Sequence, residues 1–146
     1  MALKIDFGFK TFDVEDAEGN IVGQIRFNPS DPGFVARWDE LKKAVEKMAD
    51  TPPASPEALG AMDAEIKRLM DAAFAAPCAD VLFGGLSAFC LCGDGRYLIS
   101  NVLDALQPVL VQEITAAQKA SRERMAKHTA AYEGSLAGLA PGQAAN

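Results

Sequence analysis

Apolar residues at the start of the chain fall on every second position: Leu3, Ile5, Phe7 and Phe9, with Lys4, Asp6 and Gly8 between them. A period of two marks a strand with one buried face. At "KTF" the apolar set changes phase to Phe12 and Val14, which predicts a bulge or a turn near Lys10. A second run, "IVGQIRF", puts Ile21, Gly23, Ile25 and Phe27 on one face. Between the runs, "EDAEGN" supplies Gly19 and Asn20, which tolerate the positive φ of a hairpin loop. Residues 3–28 are therefore expected to form a β-hairpin or short meander.

The pattern then switches to helical spacing. In "FNPSDPGFVARW" Pro29 cannot donate to a sheet ladder and ends the strand, Ser30 or Asp31 can cap a new helix, and Pro32 suits its first turn. Phe34, Trp38, Leu41, Val45 and Met48 recur at steps of four and three, an amphipathic stripe that predicts a helix over 31–49. "TPPASP" breaks it as a mobile loop, and Ser55 with Pro56 starts a second helix over 56–76 with Leu59, Met62, Ile66, Leu69, Met70 and Ala73 on its apolar face. Asp80 is placed to cap a single turn closed by Gly84 and Gly85, and "LSAFCLCGDG" reads equally as a short buried strand or a loop. A long helix over 96–130 carries Leu98, Val102, Leu106, Val109, Leu110 and Ile114, and Pro108 should bend or split it. From Thr115 to His128 almost no apolar stripe remains, which suits a solvated extension or a helix lying on a partner. The Gly, Ala and Pro-rich residues 133–146 read as a disordered tail. The expected fold is a single α+β domain over 1–132, its hairpin packed on a small bundle of three to four helices.

Composition narrows the function. With 146 residues, 49% of them hydrophobic, the chain can bury a core of its own. A net charge of -6 argues against nonspecific nucleic-acid binding, which needs a cationic surplus on one face. No apolar run approaches the roughly 20 residues of a membrane helix, and "MALKIDFGFK" lacks the continuous apolar core of a secretory signal, so a soluble cytoplasmic protein is expected. Three cysteines without a close metal-binding pair fit reduced thiols.

Candidate chemistry is sparse. Cys78, Cys90, Cys92 and His128 are numerically a zinc set, but their only close pair is C-x-C, where structural zinc uses spacings such as C-x2-C. Asp16, Glu18 and Asn20 imitate the start of a calcium loop, but Ile21 and Phe27 occupy the positions that demand Gly and Glu. His128, the only histidine, has no nucleophile with an elbow-like context near it in sequence, and no phosphate-binding glycine motif is present. No metal, cofactor or catalytic residue is assigned. The residues suit a non-enzymatic protein that grips another protein.

The order of parts resembles the tail assembly chaperones of phages with long non-contractile tails, especially those of Gram-positive hosts. The likeness is carried by "FNPSDPGFVARW" at 27–38, the Phe83 and Gly84 step, the Cys90 and Cys92 stretch, and the closing helix from Val102 to Lys127, and it spans about residues 1–130. The "CLCGDG" segment and a tail poor in Arg depart from the pattern. The resemblance implies a non-enzymatic protein of the host cytoplasm, absent from the mature virion. It would bind the tape measure protein, keep it soluble and help recruit tail tube subunits, with self-association also open. Phe34, Trp38, Val102, Leu106 and Leu110 are the expected adhesive residues. A head-to-tail connector, a minor tail component and a bacterial cytosolic protein-binding regulator are the competing readings.

Overall fold

The computed structural model describes residues 1–50, 54–75 and 77–136. Strands β1 (Lys10–Glu15) and β2 (Ile21–Phe27) pair antiparallel, followed by helices α1 (Pro32–Asp50), α2 (Pro56–Ala73), the short α3 (Ala79–Phe83) and α4 (Leu98–Leu136). This is an α+β fold, one hairpin set against four helices. Residues 51–53 of the expected "TPPASP" loop and residues 137–146 of the expected tail lie outside the described residues.

In the hairpin, Phe12 sits opposite Ile25 and Val14 opposite Gly23 on the core face, while Thr11, Asp13 and Glu15 face solvent. Asp16 shapes the loop. Its carboxylate accepts the amides of Glu18 and Asn20 at 3.0 and 2.9 Å, and the bonds from Asn20 hold its pKa below the ordinary carboxylate value. Two expectations are corrected. The register slips between Val14 and Glu15, near the loop, so the bulge offered as one alternative near Lys10 is not there. The strand expected from Leu3 also does not form; the chain from 1 to 9 has no regular structure. Gly8 at φ +69° interrupts the backbone. Continuing β1 in phase would also carry Phe7 and Phe9 to the solvent face with Thr11, so this alternation has no core to meet.

Asp31 caps α1: its carboxylate accepts the Gly33 amide at 2.9 Å and its carbonyl accepts that of Val35. This junction seats Phe34 against the sheet. The Phe27 and Phe34 rings stack with centroids 4.7 Å apart, and Phe74 meets both edge-on. Phe27 and Phe34 are fully buried, and removing such a ring costs about 3–5 kcal/mol. Ile66, Met70 and Ala73 of α2 close the same core against Trp38 and Leu41 of α1.

Past α2, side chains of that helix organise the connections. Asp71 accepts the amides of Cys78 and Ala79 at 2.7 and 2.8 Å, so the start of α3 is capped by α2 and not, as expected, by Asp80. Gly84 at φ 59° ends α3. Asp63 likewise accepts the Ala88 amide at 2.7 Å. The "LSAFCLCGDG" segment is a loop with one isolated bridge, Leu91 to Tyr97. It hands the chain to α4 through bonds from the amides of Leu98 and Ile99 to the carbonyls of Cys90 and Ala88.

Of the bend or split expected at Pro108 the split does not occur: helix α4 runs through it and continues to Leu136. The carbonyl that Pro108 releases belongs to Asp104, whose exposed position lets water replace the lost bond. At 39 residues α4 is roughly 58 Å long, more than a domain of this size can cover.

Candidate protein-binding surface

The first half of α4 belongs to the core, where Ile99, Val102, Leu106 and Leu110 are buried. Its second half does not. From 118 to 132 every residue is exposed, and among the described residues Ala117 is the last of intermediate burial. The physical cause is the sequence: beyond Ile114 the apolar spacing of three and four stops, and Ala, Gln, Lys and Arg replace it. The helix therefore leaves the body as a solvated rod, its helix-forming residues sustaining it without a packed face.

Charge is divided the same way. Residues 115–132 hold four cationic side chains, Lys119, Arg122, Arg124 and Lys127, against the single anion Glu123. Residues 1–114 hold 10 cationic and 18 anionic side chains. The rod is thus net +3 and the body net -8, a separation hidden by the overall charge of -6. Met125 and Tyr132 add exposed apolar surface to the rod.

Where the rod departs, α1 and α4 leave a groove between them. It holds two open recesses, one of about 390 Å³ bounded by Val35, Trp38, Leu110, Val111 and Ile114, and one of about 420 Å³ bounded by Pro29, Pro32, Ala117 and Arg122. Lys10 of β1 reaches Glu113 at 2.7 Å and ties the hairpin to α4 at this level.

The five expected adhesive residues are brought together, but into the interior. Phe34, Val102 and Leu106 are core side chains, while Trp38 and Leu110, 4% and 0% exposed, form the groove floor. Their stripes are apolar because they make the core, so in this conformation they present almost no surface. Among the described side chains, the large exposed apolar residues of α4 are Val111, Met125 and Tyr132, isolated in the sequence and without a stripe to announce them.

The remaining candidates are dispersed. Cys78 is buried, and burial, assisted by the Asp71 carboxylate, pushes its thiol up to about 12, which makes it a poor nucleophile. Cys90 and Cys92 lie half-buried in the loop before α4, and His128 is exposed on the rod. Among the described residues, no three His, Cys, Asp or Glu side chains converge as a metal site. No described helix is long and apolar enough to cross a membrane. No family model matches the chain, and comparison with curated proteins and with solved structures finds no match.

Proposed function

We infer that this chain is a tail assembly chaperone. It binds the tape measure protein in the host cytoplasm, keeps that long helical polypeptide soluble, helps recruit tail tube subunits, and leaves before the particle is complete. The inference starts from the likeness in the order of parts. The observation that carries it furthest is the cationic rod of α4, exposed at every residue from 118 to 132. A helical segment that adds no side chain to the core and segregates charge from its body is suited to lie along another helix bearing anionic side chains. Lys and Arg stems cover apolar surface there while their heads pair with carboxylates.

Such a contact is weak for one copy. Many copies along one filament reinforce each other, so the array holds while each member can still be displaced by the growing tube. The groove between α1 and α4, with Trp38 at its floor, sits where the rod emerges and extends the contact surface.

Two measurements test this. Affinity capture of the chain with the tape measure protein encoded beside it should succeed at low salt and weaken steeply with ionic strength. Mass spectrometry of purified particles should detect the tape measure protein and not this chain. Its stoichiometric presence in particles would favour a connector or minor tail component instead.

A further inference from the structure

The residues ahead of β1 carry an apolar alternation that the fold leaves unused. Leu3, Ile5 and Phe7 are 85%, 62% and 60% exposed. Among the described residues, Ala2, Leu3, Lys4 and Ile5 make no hydrogen bond, and Lys4 makes no ion pair. The root of the arm is nevertheless fixed: the Phe7 carbonyl accepts from Asn28 Nδ2 at 2.8 Å, the Gly8 amide donates to Asp6 at 2.8 Å, and the Arg26 guanidinium lies 5.0 Å from the centre of the Phe9 ring. An anchored, alternating segment with open backbone groups gains both hydrogen bonds and burial by pairing with another strand.

The arm's own charges identify that strand. Consider two arms antiparallel with Ile5 opposite Ile5. Leu3 then faces Phe7, and Lys4 faces Asp6 twice, once on each side of the two-fold axis. Every apolar residue meets an apolar one on one face, and both ion pairs form on the other. Shifting by one position at either end centres the axis on Lys4 or Asp6 and sets like charges together. A half-step shift puts apolar residues opposite charged ones, and a parallel in-register pair again matches Lys4 with Lys4 and Asp6 with Asp6. The geometry points to a second copy of this chain as the occupant: two arms join as an antiparallel, isologous pair about Ile5. Gly8 at φ +69° is the hinge, letting each arm leave its hairpin without disturbing β1. This pairing stands independently of the chaperone reading.

Sedimentation equilibrium of the full chain tests it, at up to about 100 µM because the contact is small. The wild type should form a dimer. Lys4→Asp and Asp6→Lys should each weaken dimerisation at least tenfold, since each places like charges opposite in both pairs. Mixing the two single variants in equal amounts should restore a dimer, because each new side chain then faces an opposite charge on its neighbour, and K4D/D6K should pair with itself. Circular dichroism should be unchanged throughout, the arm lying outside the core, so that a change in association is not a failure to fold. A monomeric wild type, a dimer indifferent to either reversal, or a mixture that fails to associate would each overturn the proposal.

Discussion

Asn28 holds the carbonyl of Phe7 through its side-chain Nδ2 at 2.8 Å, across 21 positions of sequence. The same side chain accepts the Ser30 amide at 2.9 Å and the Ser30 hydroxyl at 2.7 Å through Oδ1. One residue of the "NPSD" turn thus fastens the arm to the start of α1, an arrangement that needs a donor and an acceptor on one short side chain.

Substitutions at Asn28 separate these two roles. Asn28→Asp keeps the acceptor but sets an oxygen against the Phe7 carbonyl, so it should cost about 1 kcal/mol while amide exchange at Ser30 stays slow. Asn28→Ala removes both, costs about 1–2 kcal/mol, and speeds exchange at Ser30. Denaturant unfolding with hydrogen exchange resolved by residue checks both outcomes.

Gly23 is fixed by its neighbour. A Cβ at this position would lie 2.7 Å from Val81 Cγ1, so β2 and α3 approach closely only because Gly23 has no side chain. Gly23→Ala should destabilise by about 1–3 kcal/mol through overpacking. Combined with Val81→Ala the cost should be smaller than the two single costs added, with a coupling of at least about 0.5 kcal/mol in a double-mutant cycle.

The buried thiol of Cys78 links stability to alkaline pH. Its pKa is raised from the ordinary 9.0 to about 12, so the folded state keeps a proton that the unfolded state has already released. The unfolded chain then binds fewer protons, and stability falls as pH rises from about 9 towards 12, by a few kcal/mol in all, about 1.4 for each unit. Below pH 9 the effect vanishes. Cys78→Ala should flatten this limb in denaturant unfolding at stepped pH. Thiol labelling under native conditions should reach Cys90 and Cys92 before Cys78, following their exposure.

The rod of α4 should be dispensable for folding. Ending the chain after Ala120 removes no described side chain from the core, so the unfolding free energy should change by less than about 0.5 kcal/mol. Thermal and urea unfolding of the shortened chain check this directly.

Much of this architecture is legible in sequence because local chemistry dictates it. Gly19 and Asn20 mark the hairpin loop, Ser55 with Pro56 marks the start of α2, and the steps from Phe34 to Trp38 to Leu41 mark the buried face of α1. What escapes depends on neighbours distant in the chain. Nothing in "AAPCAD" shows that its start will be capped by Asp71, or that Asp63 will hold Ala88. Phe74 completes the aromatic core from just beyond α2, where the backbone has turned extended although the sequence continues the step of four from Ile66 and Met70. The alternation from Leu3 to Phe9 is as regular as a true strand's, and the missing core face and the turn at Gly8 distinguish it. The candidate surface escapes for the converse reason. Apolar stripes mark what is buried, so they led to Phe34, Val102 and Leu106, while the exposed rod is marked by the end of the stripe and by segregated charge.

The most direct test of the central claim is the soluble fraction of the tape measure protein when it is co-expressed with this chain. The full chain should keep it soluble, and both the chain ending after Ala120 and one with Lys119, Arg122, Arg124 and Lys127 changed to Glu should fold normally yet leave it aggregated. A tape measure protein that stays insoluble beside the folded full chain, or that is rescued equally by the variants without the cationic rod, would contradict this account.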